Sequence, residues 1–177
     1  MKTINSLATA FLVLAIFTFS KCKKENDEMT LPPETAIGAM TFGCKINGKV
    51  FVPRDGNGRP GLYVQYVNLG NVPGGGWHLN IPAIDWKSSS PILSIHIETD
   101  SLLVLEGMMY SFKNSKGNPI AFHDASDTYL ALDNSGNLFI KKHDQVNHIL
   151  SGTFSFVGTN SSGQQVHITE GRFDIRY

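Results

Sequence analysis

Apolar and polar residues alternate along most of the chain after residue 40, in short runs separated by clusters of Gly, Asn, Asp and Ser. A period of two over four to eight residues predicts half-buried β-strands, and no stretch of this region sustains the 3.6-residue period of an amphipathic helix. Phe42, Cys44 and Ile46 share one phase, Asn47-Gly48 predicts a two-residue hairpin turn, and Val50 and Val52 are expected to return on the same face before Pro53 ends the strand. Residues 54–61 carry Asp-Gly-Asn-Gly and read as a loop. Residues 62–68 are apolar on both faces, with Tyr63 and Tyr66 in opposite phases, and read as a central strand. Trp77, Leu79 and Ile81, then Leu93, Ile95 and Ile97, are the inward sets of two further strands, joined by a loop at 82–91.

Residues 101–106 show no clear period. Beyond them, 108–112, 128–132 and 138–142 read as short strands, the last two joined as a hairpin by Asp133-Asn134-Ser135-Gly136-Asn137. The clearest strand is 148–157, with Leu150, Gly152, Phe154 and Phe156 inward and Ser151, Thr153 and Ser155 outward. In the last strand Val166 and Ile168 hold the inward phase, whereas past Gly171 the inward set is Phe173, Ile175 and Tyr177. Such a one-residue flip beside a glycine predicts a β-bulge. The whole pattern predicts an all-β domain, an antiparallel sandwich or a lipocalin-like barrel of about ten short strands.

The first 21 residues break this pattern. Met1-Lys2 precedes an uncharged run at 7–19, too short to cross about 30 Å of hydrocarbon and of the length of an export signal. The run ends Phe19-Ser20-Lys21-Cys22. A cysteine directly after such a run resembles the acylation site of a bacterial lipoprotein, which makes Cys22 the expected lipid anchor; Lys21 departs from the small residue usual before it. Residues 22–40 are charged, then Pro-rich, and read as a flexible tether, of which the stretch from Cys22 to Gly38 reaches about 55 Å extended. The domain is expected to span residues 41–177, and with Cys22 acylated Cys44 is left without a disulfide partner. Leu31-Pro32-Pro33-Glu34-Thr35, the run Thr41-Phe42-Gly43-Cys44 through Val52-Pro53, Leu150-Ser151-Gly152-Thr153-Phe154-Ser155-Phe156 and Glu170-Gly171-Arg172-Phe173-Asp174 together resemble a family of small Bacteroidota lipoproteins of unknown function. The resemblance implies an all-β domain anchored by lipid at the outer membrane, on its periplasmic or outer side, and implies no activity.

Fifteen basic and fifteen acidic side chains leave no electrostatic footprint for nucleic acid. Six histidines invite a metal, but His96 with Glu98, His143 with His148, and His123 with Asp124 and Asp127 lack a third ligand at a defined spacing and read as solvated strand faces or loops. Asp133-x-Ser135-x-Asn137 opens like a calcium loop without the closing glutamate. Gly74-Gly75-Gly76 precedes no helix and cradles no phosphate. Cys44, in an inward phase, reads as a small hydrophobe. Asp85, Glu98, Glu106, Asp124 and Asp127 are the acids from which a hydrolytic pair would have to come. No catalytic residue, metal or cofactor is assigned. Trp86, flanked by Asp85 and Lys87, is the expected binding residue, its ring suited to a sugar or a partner protein. The expected function is a non-enzymatic binding or interaction module on the envelope, with a glycan or an envelope protein as partner; the alternatives are an extracellular glycan hydrolase and a carrier of a small apolar ligand.

Overall fold

The computed structural model describes residues 29–114 and 118–177. The expected export signal, Cys22 and the first part of the expected tether lie outside the described residues. The chain forms eleven strands and no helix among them: β1 (Thr41–Ile46), β2 (Lys49–Phe51), β3 (Gln65–Asn68), β4 (Trp77–Asp85), β5 (Leu93–Thr99), β6 (Met109–Ser111), β7 (Pro119–Asp124), β8 (Thr128–Ala131), β9 (Asn137–Asp144), β10 (Ile149–Thr159) and β11 (Gln165–Arg176). They make one antiparallel sheet in the order β2-β1-β11-β10-β8-β7-β5-β4-β3, with β9 on the first part of β10 and β6 on β9.

The β1–β2 hairpin forms as its turn residues require. Asn47 (φ 48°) and Gly48 (φ 81°) both take positive φ, the type I′ geometry that matches strand twist. Its pairing places Phe51 opposite Cys44, so Phe51, 3% exposed, is the inward residue of β2 rather than Val50 and Val52. The phase flip in β11 is a bulge shared by two ladders. Between Ile168 and Gly171 the strand holds one residue more than β10 does between Phe154 and Phe156, and Glu170 there has φ 52°. Gly171 is needed at this point: a Cβ would lie 2.5 Å from the Phe154 carbonyl and 2.6 Å from its ring.

The remaining differences from the sequence pattern are tertiary. Residues 62–68 are not central, since β3 ends the sheet. β4 runs through Pro82 to Asp85, so the expected 82–91 loop is shorter. Pro82 is tolerated because its carbonyl faces the segment before β3, accepting from Tyr63 N–H, and the proline nitrogen on the same side has no ladder bond to lose. Residues 128–132 and 138–142 do not form a hairpin. β8 and β9 follow one another along the same edge of β10, at Gly158–Thr159 and Ile149–Ser155 respectively. His123 and Asp124, which read with Asp127 as a solvated loop, end β7, which pairs with β5 and β8 and holds His123 in the interior.

The sheet curls until its ends approach. Past β2 the chain reaches Arg54, which pairs in parallel with Asp85 at the end of β4; Arg54 N–H donates to the Ile84 carbonyl and Trp86 N–H to the Arg54 carbonyl. The enclosed space is filled by Phe42, Phe112, Phe156, Leu79, Ile97, Leu150 and their neighbours, all at most 2% exposed. Among the described residues the interior is a packed core.

Residues 31–40, the end of the expected flexible tether, lie as a strap over the outer face of β11, β1 and β10. Asp174, outward in phase yet 1% exposed, accepts hydrogen bonds from Thr35 Oγ1 (2.6 Å), Ile37 N–H (3.0 Å) and Gly38 N–H (2.7 Å). Pro32 sits against Gly43, where a Cβ would come within 2.6 Å of its ring, and Glu34 pairs with Lys141 at 3.7 Å. Ser151, placed outward by alternation, pairs with Asp174 in the β10–β11 ladder and is fully buried.

Candidate functional site

At one end of the sheet, the end strand β3 faces the β9–β10 turn and the last residue of the chain across a groove of about 530 Å³. Its floor is aromatic. Tyr66 stacks on Trp77 with ring centroids 4.7 Å apart and meets Tyr177 edge-on at 5.1 Å. Tyr66 is reached from β3 and Trp77 from the start of β4, which register places diagonally across one ladder: Tyr66 pairs with Leu79 and Asn68 with Trp77. Val67 and Asn68 form one wall; Gln145 and His148 from the β9–β10 turn form the other.

Hydrogen bonds hold this floor rigid. The Tyr66 hydroxyl accepts from Val104 N–H. His143 Nδ1 lies 2.8 Å from the Val104 carbonyl and Nε2 3.0 Å from the Tyr177 hydroxyl. The carbonyl can only accept, so Nδ1 carries the proton and Nε2 accepts from Tyr177. Burial pushes the Tyr66 hydroxyl up to about 12, and burial followed by the nearby Asp144 carboxylate raises that of Tyr177, so both remain protonated at neutral pH. Residues 101–106 thus pack on the core through Val104, which is fully buried.

The walls, by contrast, offer free polar groups. Gln145 and His148 are exposed, and their side chains make no hydrogen bond among the described residues. Asn68 uses its carbonyl oxygen to accept from Gly70 N–H, which leaves its amide N–H groups free. The lining contains no carboxylate, ammonium or guanidinium side chain.

Trp86 lies elsewhere. It follows β4 beside the bridge between the sheet ends, half-buried, with its indole N–H donating to the Pro60 carbonyl (2.9 Å) and the Arg59 guanidinium 5.1 Å above its ring. Beneath it Arg54 makes two hydrogen bonds to the buried Asp85 carboxylate, at 2.7 and 2.6 Å. Burial acts to raise the Asp85 pKa, but the bonds from Arg54 and from the Lys87 N–H outweigh it and hold the carboxyl below its usual range. Trp86 ties residues 54–61 to the end of β4 rather than presenting a bare ring.

The expected acids and histidines are dispersed. Glu106 accepts from His143 N–H, Asp124 from Thr128 Oγ1 and Asp127 from Asn160, while Glu98 lines a separate groove with Asp100 and His78. His96 stacks on Phe122 at 4.4 Å, and His123 Nδ1 bonds the Ser94 carbonyl at 2.8 Å; burial holds both imidazoles below their usual pKa. Asp133 accepts from Asn114 N–H in a turn. Among the described residues no three His, Cys, Asp or Glu side chains converge as a metal site. The Cys44 thiol is pushed up to about 12 by burial and is no nucleophile at neutral pH.

Sequence reasoning missed the groove because its parts lie in four separate segments. The available signal was a set of aromatics at strand ends, Tyr66, Trp77 and Tyr177, each beside polar neighbours. Residues 87–174 match the model of a domain of unknown function, DUF6252. That stretch contributes Gln145 and His148 to the groove, while Tyr66, Trp77 and Tyr177 of the floor lie outside it. No curated protein and no solved structure matches the chain.

Proposed function

We propose that this protein is a lipoprotein held by Cys22 at the outer membrane, whose β-domain binds a ligand in the aromatic groove and does not turn it over. The observation that carries the reading is the groove itself: a rigid aromatic floor between walls of unpaired amide and imidazole groups, of a volume within the roughly 300–1,000 Å³ of small-molecule sites. The filled interior leaves the surface as the place for a ligand. The carboxylates reaching the groove's neighbourhood are engaged in turns or hydrogen bonds, as Asp144 is with Val146 and Asn147, so none is poised as a general acid. The anchor rests on the leader and Cys22. With the strap docked from residue 31, chain geometry limits the domain to about 30 Å from the anchor, not the 55 Å of a free tether.

Two measurements test this. Cys22→Ser should move the protein from the detergent-extracted membrane fraction to the soluble fraction, since without acyl chains nothing attaches it; unchanged fractionation refutes the anchor. Gln145→Ala with His148→Asn should leave the melting temperature within a few degrees of wild type and abolish retention of the labelled domain on arrays of envelope glycans, lipids and peptides. Retention that survives both changes removes the groove from consideration.

A further inference from the structure

We infer that the ligand class of the groove is an uncharged sugar ring within a neutral oligosaccharide; this rests on the groove being the binding site. Three features select it. The half-buried Trp77 ring, with the buried Tyr66 stacked against it, gives the groove an aromatic surface of the kind that an apolar face of a pyranose covers, and the Trp77 indole N–H makes no hydrogen bond among the described residues. The wall groups are amides and an imidazole, which between them both donate and accept, as a sugar hydroxyl does; Asn68 N–H, Gln145 and His148 lie on both sides of the aromatic floor.

Charge supplies the third. No carboxylate, ammonium or guanidinium side chain lines the groove, so a phosphate or carboxylate group entering it would lose hydration with no lysine or arginine to pair with. A fatty chain fits less well, because it needs an enclosed apolar cavity and the groove is an open channel with polar walls. The rigid floor suits a weak, fast-exchanging sugar, since little order is lost on binding.

The protein provides its own reporter. It has two tryptophans, and Trp86→Phe leaves Trp77 as the single indole, inside the groove. Titrating this full-length variant with neutral gluco-, manno- and galacto-oligosaccharides should give a saturable change in Trp77 emission for at least one of them. Adding Gln145→Ala should weaken that binding about tenfold, the loss of one hydrogen bond, and a uronic-acid oligosaccharide should bind at least tenfold more weakly than the neutral one. If none of the neutral sugars moves the emission, while a fatty acid or an aromatic peptide does so in a manner sensitive to Gln145→Ala, the sugar assignment is wrong and the groove remains a binding site. If no probe of any class moves it, both the sugar and the groove are wrong.

Discussion

Asp174→Ala gives the sharpest test of how the domain is built. The carboxylate is 1% exposed and accepts from Thr35 Oγ1, Ile37 N–H and Gly38 N–H across more than 130 residues of sequence. Hydrogen bonds to a charged acceptor contribute about 1.5–3 kcal/mol each, so three would total about 4.5–9 kcal/mol if the strap had to stay in place. It does not have to. Once its acceptor is gone, residues 31–40 can peel off and rehydrate their N–H groups, which limits the loss to the strap's docking free energy, about 2–4 kcal/mol with the Pro32–Gly43 packing included. Denaturant unfolding should show that loss, and hydrogen exchange should show amides of Ile37 and Gly38 unprotected while those of β10 stay protected. Thr35→Ala should be strongly sub-additive with Asp174→Ala, because both remove the same contact. Burial acts to raise the Asp174 pKa, but the bonds from the strap outweigh it and the folded value lies below the unfolded one. Its contribution is therefore fully present above about pH 4 and is lost as the pH falls through the folded value. Wild type should lose strap protection in acid before it unfolds. A loss under about 0.5 kcal/mol with unchanged exchange at Ile37 and Gly38 would refute the strap.

Phe154→Ala should cost about 3–5 kcal/mol and Thr153→Ala under about 1 kcal/mol in the same unfolding assay, and equal losses would reverse the assigned face of β10. Gly171→Ala should cost about 1–3 kcal/mol, because the added Cβ meets the Phe154 carbonyl and ring; a neutral result would mean that the bulge relaxes freely. Arg54→Ala leaves the buried Asp85 carboxylate without its cation and should cost about 3–5 kcal/mol at pH 7. With Arg54 gone, burial dominates and raises the Asp85 pKa, so the melting-temperature gap to wild type should narrow as the pH is lowered; a gap that widens in acid would refute the pairing. Trp86→Ala should lower the melting temperature by a few degrees and leave sugar titrations at the groove unchanged, the reverse of a binding hot spot.

Alternation alone determined that the domain is all-β, because side-chain direction in a strand depends only on the backbone's period of two. It located the Asn47-Gly48 turn, whose two positive φ values demand those residue types, and it placed the bulge near Gly171 from the one-residue phase flip, since an inserted residue must move every later side chain to the other face. Tertiary structure decided what pairs with what. That β8 and β9 lie in line along β10, and that His123 and Asp124 end a strand rather than sit in a loop, depends on long-range partners that leave no local signature. Composition could not show that residues 31–40 are docked, because a Pro-rich segment that buries little apolar surface reads as a linker until a single distant carboxylate, Asp174, offers its N–H groups an acceptor. The aromatic groove is likewise a product of curvature: Tyr66, Trp77, His148 and Tyr177 are ordinary strand-end residues in sequence, and only the curling of the sheet brings β3 opposite the β9–β10 turn.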